Sequence, residues 1–360
     1  MAAIIFIGVL VILVLVHEAG HFFAARWGGV AVDEFGFGFP PRAAGFQRGK
    51  TLYSVNWLPL GGFVKLKGEE GDLADEPDSF AHASIGRRFW IVAAGVTMNV
   101  VFAAFLFWIL FTFGLTIPIQ GVYVDAVLPN TPASAAGILP GDQIRSVNGE
   151  SMLSVESFQK YIRTQGNQAV TLSLTGADGG TRSISLTPAA VPGLATPGLG
   201  VQLASEGMIQ YPWYVAPWEA LKATVFILWE IIRAFALMLA TIFTQWQVDA
   251  DVSGPIGIAV ATGKIAHLGL SNLLYFVALL SLNLAVINVL PIPALDGGRL
   301  FFLIIEKIRG SAVNRNVEKW FHLSGFVFLI LLVVLVTYRD LVTHGNTIMN
   351  AIKQWIPFTL

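Results

Sequence analysis

AAIIFIGVLVILVLVHEAGHFFAAR, residues 2–26, is an apolar run long enough to cross a bilayer, and besides the terminal Arg26 it carries three ionisable side chains in its second half. Stretches of about 18 or more apolar residues read as membrane helices. No Lys or Arg precedes the run, and it is longer than a signal-peptide core, so it reads as a retained anchor. Within it, His17, Glu18 and His21 form H-E-x-x-H. On a helix, i and i+4 share a face, and two imidazoles one turn apart can both reach a zinc ion at about 2.0–2.1 Å. Glu18 is then placed to take a proton from a water held there. The bland alternative is a polar cluster satisfied among packed helices. Ionisable groups inside a span are costly and usually mark function.

The rest of the chain agrees with a membrane setting. Of 360 residues, 55% are apolar and 12% charged, about half the roughly 25% charged fraction of soluble domains. That excludes an ordinary soluble protein and a disordered one. Lys+Arg 22 against Asp+Glu 23 gives a net charge of -1, with no overall basic surface for nucleic acid. The absence of cysteine removes disulfides, thiolate zinc sites, iron–sulfur clusters and thiol nucleophiles. A metal site here must use His, Asp or Glu.

Four more apolar stretches follow: 89–115, 218–246, 273–305 and 321–337. Stretch 218–246 is interrupted by Glu219, Lys222, Glu230 and Arg233, and stretch 273–305 by Pro291, Pro293 and Asp296. Basic residues gather between the first two stretches (Arg26, Arg42, Arg48, Lys50, Lys65, Lys67, Arg87, Arg88) and between the last two (Lys307, Arg309, Arg315, Lys319). The polar block 116–217 holds only Arg145, Lys160, Arg163 and Arg182. The positive-inside rule puts the two basic links in the cytoplasm and the polar block outside. Four spans satisfy this pattern, with helices about 2–26, 89–115, 272–306 and 321–338. The segment 212–250 is then an interfacial, amphipathic or re-entrant helix.

Catalytic zinc takes three protein ligands and leaves one open position. The extended form with a third His is absent, because Ala24 and Trp27 occupy its last two places. Asp296 is the strongest candidate for the third ligand, within NVLPIPALDGGRL (288–300). Pro291 and Pro293 break the helix, and Gly297 and Gly298 permit close backbone approach. Such backbone at membrane depth is tolerated only when it is buried in protein or lines a wet cavity. Four spans bring Asp296, His17 and His21 to the same cytoplasmic half of the membrane; five would separate them. The alternative for Asp296 is a turn or N-cap residue.

HEAGH and NVLPIPALDGGR resemble the two signatures of the site-2 protease family of intramembrane zinc metalloproteases. The nearer resemblance is to the bacterial RseP/RasP type, the regulator-of-sigma-factor proteases. It is carried by GFGFPPR (36–42), NWLPLGGFVKLKGE (56–69), RRFWIVAAGVTMNVVFA (87–103) and SGPIGIA (253–259). Val96 stands after Gly95 where members usually have Pro. The resemblance implies that His17, His21 and Asp296 bind Zn2+ and that Glu18 is the general base. It implies that Asn99, and Asn283 or Asn288, orient the site or touch substrate; Asn288 is the better motif match, and helix–helix hydrogen bonding is the other role for Asn283. Residues 121–188 resemble a PDZ domain, through VDAVLPNTPASAAGILPGDQIRSVNGESM (124–152) and a flanking helix at 154–164. Its carboxylate-binding loop, GLGV (Gly198, Leu199, Gly200, Val201), comes last, as in a circular permutation.

The expected architecture is therefore an α-helical polytopic membrane protein with four transmembrane helices. A cytoplasmic-side membrane-associated β-hairpin (35–67) and an inserted extracytoplasmic α+β PDZ domain (119–203) complete it. The protease core falls in two halves, 1–115 and 251–345, with a tail at 346–360. In the hairpin, YSVNW and GFVKL are strand-like, so Gly62, Phe63 and Val64 are candidates to pair with an unwound substrate. The PDZ unit either captures an extended peptide or filters substrates by size. The resemblance implies single-span membrane substrates such as trimmed anti-sigma factors or signal-peptide remnants. It also implies an upstream site-1-type protease and a place in the bacterial inner membrane, within the lipid bilayer. Two rivals stay open: a membrane metal transporter, and an inactive PDZ adaptor.

Overall fold

The computed structural model describes residues 2–69, 73–176, 179–191, 197–245 and 254–355. The chain divides into two compact units, one taking residues up to Phe113 and from Tyr211 onward, the other Gly114–Gln210.

The first unit starts with α1 (Ala2–Trp27) and α2 (Ile85–Phe113). Both are apolar all round, as helices facing lipid and each other must be. They pack antiparallel: Gly20 lies against Ala94 and Met98, and Gly28 against Ile91. A Cβ on Gly20 would sit 2.3 Å from the Ala94 carbonyl oxygen, so this close crossing needs glycine. Between them run two long strands, β1 (Val32–Arg48) and β2 (Thr51–Leu66), paired antiparallel. Both bend, so the pairing lays out four segments in the order 62–66, 32–37, 51–55, 42–48. Segment 62–66 is an edge.

α5 (Ala216–Gln245) packs against α2 and α7 (Leu270–Val289), and Ala216, Ala220 and Thr224 form a stripe of small buried residues along it. α6 (Pro255–His267), α8 (Asp296–Arg309) and α9 (Arg315–Trp355) complete the unit. α2 and α7 are antiparallel, since Phe107 packs on Tyr275 and the Ser281 hydroxyl donates to the Asn99 carbonyl at 2.8 Å. Among the described residues, α1, α2, α5, α7 and α9 are long and apolar enough to cross a membrane. The expected helix 272–306 is two helices, because Pro291 and Pro293 cannot donate backbone hydrogen bonds and the chain turns there. α9 continues to Trp355, past 346, where the sequence reading begins a tail. Residues 246–250 of the 212–250 segment, Ser253, and 356–360 lie outside the described residues.

The second unit holds β3 (Leu115–Val127), α3 (Pro132–Ala135), β4 (Gln143–Val147), β5 (Glu150–Ser151), α4 (Val155–Gln165), β6 (Val170–Thr175), β7 (Thr181–Leu186) and β8 (Val201–Ile209). The strand order is β7-β6-β4-β3-β8, with β5 on β4. Val122 and Val124 of β3, Ile144 and Val147 of β4, and alternating Val170, Leu172 and Leu174 of β6 meet Phe158 and Ile162 of α4 in one core. Ser154 and Ser157 cap α4 reciprocally. Asn148 and Gly149 both take positive φ at a tight turn.

Candidate metal centre

His17 and His21 stand one turn apart on α1, and Asp296 begins α8. Three local features bring Asp296 to them. The chain turns between α7 and α8, with Ala294 at φ +70. Gly297 packs so closely on this turn that a Cβ would lie 1.9 Å from the Leu290 carbonyl oxygen. α9 supports it from behind: the Ala294 N–H donates to His322 Nδ1 at 3.0 Å, and Gly325 seats against Pro293.

The Nε2 atoms of His17 and His21 lie 3.2 Å apart, and each faces Asp296 Oδ2, at 3.1 and 3.3 Å. Three ligand atoms about 2.0–2.1 Å from one tetrahedral zinc would be about 3.3 Å apart, and these distances match that spacing. Asp296 Oδ2 is buried without a hydrogen-bond partner, as an atom reserved for a cation would be. The imidazoles are set up in the same sense. His21 Nδ1 lies 2.9 Å from the Ile91 carbonyl, which puts the proton on Nδ1 and leaves the Nε2 lone pair free. His17 Nδ1 faces the buried Asn99 amide at 3.2 Å. A metal on His17 Nε2 puts the proton on Nδ1, and its natural acceptor is Asn99 Oδ1, an atom otherwise without a partner. The residues present fit a zinc ion. Gly95 makes room for both rings, since a Cβ there would fall 2.3 Å from His21 Nε2 and 2.8 Å from His17 Cε1.

Glu18 lines the same space. A cleft of about 820 Å3 opens on His17, Glu18, His21 and Asp296 and runs along Gly62–Leu66 to Asp33, Glu69 and Arg299. A second cavity, of about 240 Å3, opens on His17, Glu18 and Asp296 from the other side. Gly62, Phe63 and Val64 therefore border the site on the edge segment of the sheet. Asn288 is buried and lines the smaller cavity. Asn283 lines neither cavity, and its amide donates to the Leu279 carbonyl of its own helix at 2.8 Å.

Two ion pairs went unread in the sequence. Arg299 pairs with Glu69, tying α8 to the end of β2. Arg88 makes a two-pronged pair with Glu306, at 2.6 and 3.1 Å, tying α2 to α8. Arg299 and Glu69 lay inside the quoted motifs, but separated by 230 residues they gave no sign of being partners. Below the hairpin, hydrogen bonds from Lys67 and Lys50 hold the Asp78 carboxyl below its usual range.

In the second unit, Gly198 bridges to Ala189, Leu199 is buried, and the Leu199 and Gly200 carbonyls accept from Ala133 and Leu128. Gly200 takes φ +80 against Thr131. Val201 opens β8, which has β3 as its neighbour in the sheet order and ends that order.

A pair of histidines and an aspartate converging beside a glutamate, among apolar helices, defines a membrane-embedded metallopeptidase. The model of peptidase family M50 matches residues 5–332, and the chain belongs to that family. Among relatives, a Clostridium acetobutylicum chain named, provisionally, as a zinc metalloprotease is 33% identical over 336 residues, 93% of this chain and 96% of that one. Zinc metalloprotease RasP of Geobacillus kaustophilus is 29% identical, over 93% and 96% of the two chains. The regulator of sigma-W protease RasP of Bacillus subtilis is 29% identical, over 91% and 95%. Among solved structures, the PDZ domain of an SdrC-like protein from Listeria innocua is 31% identical, covering 23% of this chain and 93% of that one, with a TM-score of 0.21. The protein is a zinc metalloendopeptidase of the intramembrane class and a bacterial membrane protein. The transporter and inactive-adaptor readings fall with that membership.

Proposed function

We propose that the chain hydrolyses peptide bonds in or near the transmembrane segments of single-span membrane proteins, with His17, His21 and Asp296 holding the zinc and Glu18 as general base. The observation that carries this is the convergence of His17, His21 and Asp296 Oδ2, from two helices far apart in the chain, beside Glu18. When bound, zinc polarises the scissile carbonyl and lowers the pKa of water. Glu18 takes the proton from the attacking water and delivers it to the leaving amine. Helical substrates hide their peptide bonds, so a local stretch must unwind. The free edge at Gly62, Phe63 and Val64 can add that stretch as a strand and satisfy its backbone groups. Asn288, buried on the cavity wall, offers a carboxamide to the same stretch, and Asn99 orients His17.

Four crossings support a site in the cytoplasmic half of the inner membrane and an extracytoplasmic PDZ unit. α7 is antiparallel to α2 and so runs with α1, which agrees with that count. The PDZ unit is read as a filter against substrates with bulky outer domains, and the groove at Gly198–Val201 as the peptide-binding alternative. The name of the Bacillus relative suggests anti-sigma factors, trimmed first by a site-1-type protease, as one substrate class; signal-peptide remnants are another.

The test is cleavage of a single-span model substrate in detergent, scored by mass, for wild type and Glu18→Gln with zinc content measured. Cleavage by wild type, and its loss in the variant with zinc retained, is the expected result. Equal cleavage by both would remove Glu18 from its role, and no cleavage by zinc-loaded wild type would count against this substrate class.

A further inference from the structure

The two cavities meet at the metal centre but differ in character. The larger leads past Lys65, Glu69 and Arg299, toward the basic end of α1 and the start of α8. The smaller is walled by Val14, Leu284, Leu295, Asn288 and the bare backbone of Gly61 and Gly62. Val14 precedes Glu18 by one turn of α1, and Leu284 precedes Asn288 by one turn of α7. Because α1 and α7 run the same way, both residues lie on the same side of the centre, deeper in the helix bundle. A Cβ on Gly62 would sit 2.9 Å from Val14 Cγ1 and 3.2 Å from Glu18 Cγ, so the strand crosses directly above the general base.

We propose that this smaller cavity is a side-chain subsite that receives the substrate residue flanking the scissile bond on its membrane-embedded side, and that it selects medium-sized aliphatic residues. The inference rests on the peptidase reading above. Its volume of about 240 Å3 includes the space over the catalytic groups, and the part beyond them is walled by the branched side chains of Val14, Leu284 and Leu295, which favour an aliphatic side chain. Beyond the groups of the centre its walls are apolar apart from Asn288, so a charged side chain reaching past Glu18 and Asp296 would be desolvated against one neutral carboxamide. Val14 and Leu284 set its width from opposite helices. An extended substrate would thus enter from the apolar arm, cross Glu18 and leave along the polar arm.

The test uses purified, zinc-loaded protein and four versions of one single-span substrate, with Ala, Leu, Phe or Lys at the residue on the membrane side of the mapped cleavage point. Wild type is expected to cleave the Leu version best and the Phe and Lys versions at least tenfold less well, within the 10–200-fold range of pocket discrimination. Val14→Phe should keep cleavage of the Ala version and lose that of the Leu version tenfold or more. Leu284→Ala should gain the Phe version. Zinc content reports whether each variant keeps its centre, and Leu284→Ala decides alone if Val14→Phe does not. A uniform change across all four versions would overturn the subsite while leaving the peptidase intact. Failure of zinc-loaded wild type on every version, with Glu18→Gln indistinguishable from it, would overturn the underlying reading and the subsite together.

Discussion

Gly95 shows how little space the centre leaves. It sits on α2 opposite both histidines, and a methyl group there would fall 2.3 Å from the nitrogen of His21 that faces Asp296. His21 is also held from behind by the Ile91 carbonyl on the same helix, so the ring cannot back away without losing that bond. Gly95→Ala should therefore lower zinc affinity or activity by about 10–100-fold, the range seen when the groups supporting metal ligands are disturbed. Zinc titration with a competing chelator checks it. Normal zinc affinity in a folded variant would show that α2 yields more readily than its packing implies. The glycine was visible in the sequence as a member of a quoted motif. What it does became clear only when α1 and α2 were packed, because a contact between residues 21 and 95 has no local signature.

The β1–β2 ribbon shows the same limit for whole elements. The aromatic and β-branched residues of YSVNW and GFVKL made strands legible. The bends that fold two strands into four segments and leave 62–66 on the edge were not, since edge position depends on pairing partners far along the chain. The break between α7 and α8 was legible from Pro291 and Pro293, and α9's length was not, because the apolar run 321–337 covers only its middle, with polar turns on either side. Along a strand, successive N–H groups point to opposite sides, so of Phe63 and Val64 one donates toward β1 and the other toward the free edge. Phe63→Pro and Val64→Pro should both cut cleavage tenfold or more, one through the hairpin and the other through the substrate-facing edge. Thermal unfolding separates them: the edge variant keeps its melting temperature while its KM rises. Unchanged cleavage in both would exclude strand addition.

At the scale of the molecule, the direction of the helices bears on how often the chain crosses the membrane. Tyr211 returns to the Phe111 end of α2, where its N–H donates to the Phe111 carbonyl at 2.8 Å. Gly254 and Gly257, at the start of α6, donate to the Asp340 carboxylate of α9. Gly263, further along α6, lies against Ala2 at the start of α1. On α9, Gly325 meets Pro293 near the centre, so Asp340 lies several turns away from it, toward the Ala2 end of the bundle. The chain thus stands at one end of the bundle before α5 and again at α6, and five net crossings would require it to change ends between them. With four, the link between α6 and α7 lies outside and the β1–β2 tip inside. A chain without cysteine allows a direct test. Leu268→Cys, exposed in that link, should react with a membrane-impermeant maleimide on intact spheroplasts, and Lys50→Cys, exposed at the ribbon tip, only after permeabilisation. Labelling of both from the same side would break the four-crossing arrangement. Labelling of both only after permeabilisation would move the link after α6 into the cytoplasm, against a helix packing in which α1 and α7 run together and carry His17 and Asn288 to the same cavity.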